Sequence, residues 1–133
     1  MSAMTIRFAK PLATLLTAGL LSLTACGGSS STGNTVPADA DVVVKAQEGI
    51  AWNQKTFDAT ATDGKVTIYV ENGASIAHNM YVLDANDKVQ GDFVDLPTHG
   101  SHGTRVLPLA PGTYHIVCKV PGHNNMNATL TVS

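Results

Sequence analysis

The chain has 133 residues, 44% hydrophobic and 14% charged, with a formal net charge of -2. That length accommodates one domain. The absence of a basic cluster gives no reason to expect nucleic-acid binding.

Taken in chain order, the first segment is an export signal. Arg7 and Lys10 make a short positive region ahead of an apolar stretch over residues 11–23. The stretch is too short for a membrane-spanning helix, which needs about 20 apolar residues, but has the length of a signal-peptide core. It ends in Leu23-Thr24-Ala25-Cys26, followed by a Gly/Ser run. This resembles a bacterial lipobox, which implies a signal peptide over residues 1–25 and lipid attachment at Cys26. The mature chain would then be anchored to a bacterial membrane, in the periplasm or at the cell surface. Loss of Arg7 and Lys10 leaves six Lys and Arg against ten Asp and Glu, a mildly acidic chain.

Residues 26–40 are rich in Gly, Ser, Thr, Asn and Pro and read as a flexible tether. Residues 41–133 read as a domain of short strands. Val66, Ile68 and Val70 alternate with Thr67, Tyr69 and Glu71. The same period of two recurs over 80–84, 114–119 and 128–133, and strands are also expected over 41–46 and 50–59. Turn pairs such as Asp63-Gly64, Pro111-Gly112 and Pro121-Gly122 separate the runs. Seven or so strands with turns at this spacing predict an all-β Greek-key sandwich. Acylation of Cys26 would leave Cys118 as a lone thiol in an oxidising setting, where metal ligation is one explanation.

The chemistry lies in the segment from Cys118 to Met126. A strand ends at Cys118, Pro121-Gly122 makes a turn, His123 follows, and Met126 comes three residues later. One loop thus presents a thiolate, an imidazole and a thioether. His78, in Ala77-His78-Asn79 at the start of another strand, can lie beside this loop in a sandwich. Two imidazoles, a thiolate and a weak thioether suit one copper ion alternating between Cu(I) and Cu(II). Zinc also accepts Cys and His but seldom recruits Met.

The run Cys118-Lys-Val-Pro-Gly-His123 resembles the C-terminal copper loop of the cupredoxins, in particular the azurin and rusticyanin branches. Ala77-His78-Asn79 resembles their first ligand histidine with its Asn. The likeness extends over residues 43–133. It implies a type 1 copper site with His78, Cys118 and His123 as trigonal ligands and Met126 as the long axial ligand. It further implies that the Ala77 carbonyl approaches from the opposite side, that Asn79 ties its strand to the Cys loop, and that His123 is the solvent-facing ligand. Two features depart from the common pattern. Only Asn124 and Asn125 separate His123 from Met126, a spacing similar to the amicyanin loop. Lys119 stands where a Ser or Thr is usual, so Asn79 would have to bond to the backbone there.

The remaining candidates carry weaker signals. His99 and His102 form a His-x-x-His pair without a third ligand. His115 alternates away from Cys118 and is expected on the exposed face. Met80, Trp52 and Phe57 read as packing residues. The function expected is single-electron transfer to redox partner proteins such as a cytochrome or oxidase, by a monomer and not an enzyme. Multicopper oxidases and copper nitrite reductases need further His-rich sites and domains. The alternative is an extracytoplasmic protein that stores or delivers copper, although such proteins favour exposed Met/His-rich sites.

Overall fold

The computed structural model describes residues 33–133. The predicted signal peptide, Cys26 and the start of the tether lie outside the described residues. The described residues hold nine strands and no helix. They are β1 (Val42–Gln47), β2 (Ala51–Trp52), β3 (Thr56–Ala59), β4 (Lys65–Asn72), β5 (His78–Leu83), β6 (Val94–Leu96), β7 (His102–Pro108), β8 (Gly112–Val117) and β9 (Asn127–Val132).

Two sheets form the expected sandwich. One has the order β2-β1-β4-β7 and the other β3-β9-β8-β5-β6. Pairing is antiparallel except between β1 and β4 and between β3 and β9. The alternation read from the sequence is the burial pattern observed. Val42, Val44 and Ala46 of β1, Val66, Ile68 and Val70 of β4, and Ala128, Leu130 and Val132 of β9 all point into one core. Burying each larger aliphatic side chain stabilises the fold by roughly 1.5–3 kcal/mol.

Local chemistry shapes the connections. Asp63 and Gly64 both adopt positive φ in the two-residue turn that pairs Thr62 with Lys65. This turn type matches the twist of its flanking strands. The Tyr114 hydroxyl donates to the Ala110 carbonyl at 2.8 Å and clips the Pro111-Gly112 turn.

The single strand expected over 50–59 is two strands in different sheets. Ala51–Trp52 pairs with β1, whereas Thr56–Ala59 runs parallel to β9. Asn53 makes the break: its Oδ1 accepts from the Lys45 N–H and its own N–H donates to the Lys45 carbonyl, both at 2.8 Å. A side chain that bonds the ladder itself ends the pairing. Strand β6 is too short for its alternation to stand out, and β7 carries little alternation. β6 has three residues, and β7 places Gly103 against Val94, where an added Cβ would sit 2.7 Å from a Val94 methyl. Close approach of the chains replaces an apolar side chain there.

Candidate metal centre

Strand topology carries the candidate residues to one end of the sandwich. β4 ends at Asn72 and β5 begins at His78, so residues 73–77 cross that end. β8 ends at Val117, and the loop over 118–126 returns across the same end to β9. β5 pairs with β6 through its first half, His78 opposite Leu96, and with β8 through its second half, Tyr81 opposite Val117. Continuing the second register places Asn79 opposite Lys119. There the Lys119 N–H donates to Asn79 Oδ1 at 2.7 Å. The Asn79 amide thus stands in for a strand bond where the Cys118 loop peels away, and it uses the backbone as the absent hydroxyl at position 119 requires.

The loop is held by its own backbone. The Cys118 N–H donates to the Met126 carbonyl at 3.0 Å, the His123 N–H to Val120 at 3.0 Å, and the Met126 N–H to His123 at 2.9 Å. Gly122 has φ +87, a left-handed conformation that strains other residues. These bonds turn Cys118, His123 and Met126 inward together, and all three are buried.

His78, Cys118 and His123 converge. Cys118 Sγ lies 3.5 Å from His123 Nδ1 and 3.9 Å from His78 Nδ1. The ligand atoms of the three residues all fall within 4.8 Å of one another, and the two imidazole rings are 4.8 Å apart at a tilt of 48°. Among the described residues this is the one group of three His, Cys, Asp or Glu side chains so disposed. His78 is 0% and Met126 1% exposed, whereas His123 reaches the surface at 7%. Exposed Pro121, Gly122, Asn124 and Asn125 surround His123.

The electrostatics favour lone-pair donors here. Burial, and secondarily the charge of His123, hold the His78 pKa below its ordinary 6.5, with Glu48 opposing. Its Nε2 has no hydrogen-bond partner in the structure, so a buried imidazolium would carry an unsatisfied N–H. A neutral His78, a buried thiol and a second imidazole form a donor set that fits a soft or borderline cation. The sign of the shift makes a prediction. A His held neutral by the fold contributes stability that is intact above about pH 6.5 and is lost as pH falls, by up to about 1.4 kcal/mol per unit for one proton. The urea midpoint of the copper-free domain is therefore expected to drop between pH 7.5 and 5.5. A flat profile contradicts the buried neutral His78.

The other candidates separate from this cluster. His99 and His102 are exposed, and His102 Nδ1 lies 3.1 Å from the Gly100 carbonyl. His115 is on the outer face as expected, though half-buried. Met80 and Phe57 are in the core. Ala77 is exposed just before β5.

Two residues at this end were missed or undervalued in the sequence. Trp52 is buried with its ring centre 6.5 Å from that of His78, and its indole N–H donates to the Ile116 carbonyl at 3.2 Å. Asn72 is 1% exposed. Its Nδ2 donates to the carbonyls of Ile76 at 2.8 Å and Leu96 at 3.1 Å, and its Oδ1 accepts from the Ala74 N–H at 2.9 Å. It braces the loop that delivers His78. An Asn in a strand run carries no sequence signal for that role.

No protein-family model matches the chain, and no curated protein sequence matches it. Solved structures do. A dithionite-reduced auracyanin from the photosynthetic bacterium Roseiflexus castenholzii is 18% identical with a TM-score of 0.60, over 69% of this chain and 95% of that one. An azurin from the methylotroph Methylomonas sp. strain J is 16% identical with a TM-score of 0.62, over 72% and 99%. Auracyanin A from Chloroflexus aurantiacus, described as a "blue" copper protein, is 19% identical with a TM-score of 0.55, over 68% and 96%. At these identities the likeness establishes the fold.

Proposed function

We propose that this chain, which has the cupredoxin fold, is a mononuclear type 1 copper protein that carries single electrons between extracytoplasmic redox partners. The observation that carries the reading is the convergence of Cys118 Sγ on His78 Nδ1 and His123 Nδ1, all buried, with Met126 buried in the same loop. Bound there, copper would supply a one-electron Cu(I)/Cu(II) couple. The likeness to auracyanins and an azurin points the same way, as does the export signal expected from the start of the sequence.

The chain's own residues account for the rest. Cys118, as thiolate, supplies the strongest donor. His78 is locked in the core, and His123 is the most exposed of the four candidate ligands and lies among exposed loop residues, so electrons are expected to pass there. Met126, fixed through its carbonyl to the Cys118 N–H, is read as the axial ligand. Asn79 and Asn72 keep the two loops in register and would limit ligand movement between the two oxidation states. Ligands this buried and braced favour a carrier that keeps its metal over a store that gives it up. No enzymatic activity is proposed, and the partners expected are a cytochrome or oxidase.

The test is addition of Cu(II) to the purified domain. One equivalent should give an intense blue thiolate charge-transfer band with small parallel copper hyperfine splitting, and the reduced protein should exchange electrons rapidly with cytochrome c. A pale, ordinary Cu(II) spectrum would overturn the reading. Met126→Leu should stay blue and move the reduction potential upward, because a weak donor to Cu(II) is removed. Cyclic voltammetry measures this, and an unchanged potential would remove Met126 from the ligand set.

A further inference from the structure

We infer that the chain leaves the folded domain at its metal-bearing end, so that a lipid on Cys26 holds that end toward the bilayer and its redox partner presents a docking site at the membrane surface. The inference rests on the proposed lipidation and copper readings, and on two independent features of the domain.

The first is the path of residues 33–41. The loops over 73–77, 97–101 and 118–126 all cross one end of the sandwich, since β4 and β6 end there, β5 and β7 start there, and β8 leads into the Cys118 loop. β1 begins at the other end, where the Asp41 N–H donates to the Thr67 carbonyl at 2.9 Å and the Thr67 N–H donates to Asp41 Oδ2 at 2.7 Å. A chain entering β1 directly would leave the domain at that far end. Instead the lead-in runs back along the outer face of the first sheet. Asn34 Nδ2 donates to the Gly100 carbonyl at 2.7 Å, in the loop whose Gly100 N–H donates to the Asn72 carbonyl. Tyr69 points outward by the alternation of β4 yet is 1% exposed, so the outer face is covered there.

Length then sets the geometry. Gly33 lies seven residue steps after Cys26, at most about 25 Å when extended. The eight residues of β4 add about 26 Å to the opposite end.

The second feature is charge. The three loops at the metal end contain no Asp or Glu and one Lys, Lys119. Nearby Glu48 is engaged by the Ser75 N–H and hydroxyl. Asp39, Asp41, Asp63, Asp84 and Asp87 gather at the far end, with Lys65 and Lys88. The loops of the metal end therefore present less negative charge to an anionic bilayer surface than the acidic far end does.

The experiment uses the full lipidated chain in anionic vesicles carrying an acceptor fluorophore on the headgroups. Donor dyes are placed at Ile76→Cys near the metal site or at Ala85→Cys beyond β5, each with Cys118→Ser so that no metal is involved. Energy transfer should be several-fold stronger from position 76. A Gly/Ser insertion of about 20 residues between Thr32 and Gly33 should remove the difference. The same insertion in the otherwise native, copper-loaded chain should slow electron exchange with native membranes several-fold and leave exchange with soluble cytochrome c unchanged. Equal transfer from both positions, insensitivity of the membrane rate to the insertion, or an N-terminal peptide whose mass lacks lipid would each overturn the inference. The copper reading is scored separately by its spectrum.

Discussion

Cys118→Ser is expected to abolish the blue charge-transfer band and to leave a folded domain. The side chain is 6% exposed and its Sγ is the point on which both histidine nitrogens converge. A serine hydroxyl fills nearly the same space but does not ionise near neutral pH, so the strongest donor is lost while the packing stays. The hydroxyl has imidazole nitrogens within reach as hydrogen-bond partners, and stability should change by about 1 kcal/mol. Copper affinity should fall by more than the roughly 10- to 100-fold that loss of an outer contact costs. Circular dichroism, urea unfolding and a copper titration read these effects separately. A variant that remains blue would place the thiolate outside the site and sink the copper assignment; a variant that unfolds would show Cys118 to be a packing residue first.

What could be read from the sequence depended on how locally each feature is encoded. Cys118, His123 and Met126 share one loop, so their spacing and the Pro121-Gly122 turn announce the arrangement before any tertiary contact is known. His78 is 40 residues away from Cys118. It was recognisable through its Asn79 neighbour, whose bond to Lys119 is made by side chain on one strand and backbone on the other. The sandwich itself was legible because strands such as β4 and β9 alternate cleanly about one core. The break at Asn53 was not, because an Asn that caps a ladder looks the same in sequence as one within it. β7 was not, because Gly103 contributes by having no side chain. Trp52 looked like a packing residue. Its place beside His78 depends on the register of β1 with β2 and on the distance between two sheets, quantities that no local pattern carries.

Asn72→Ala is expected to damage both stability and copper binding, although the residue lies outside the ligand set. Three hydrogen bonds end on this one amide, and its surroundings are closed to water. Truncation leaves the Ile76 and Leu96 carbonyls and the Ala74 N–H without that partner. A buried polar group stranded in this way costs about 1–3 kcal/mol, and partial relaxation of the loop brings the expected total to about 3 kcal/mol. The effect should not stop at stability. Ile76 lies two residues before His78, and Leu96 pairs directly with His78 across β5 and β6. Loosening both lets the imidazole drift from the thiol, and copper affinity should fall by roughly 10- to 100-fold, as for other outer contacts of metal ligands. The hyperfine pattern should change with it. Urea unfolding of the copper-free protein reads the first effect, and copper titration with paramagnetic resonance reads the second. If stability drops while affinity and spectrum stay the same, β6 pairing alone suffices to hold His78. If both move together, the rigidity of the copper site is set by an amide that never touches it.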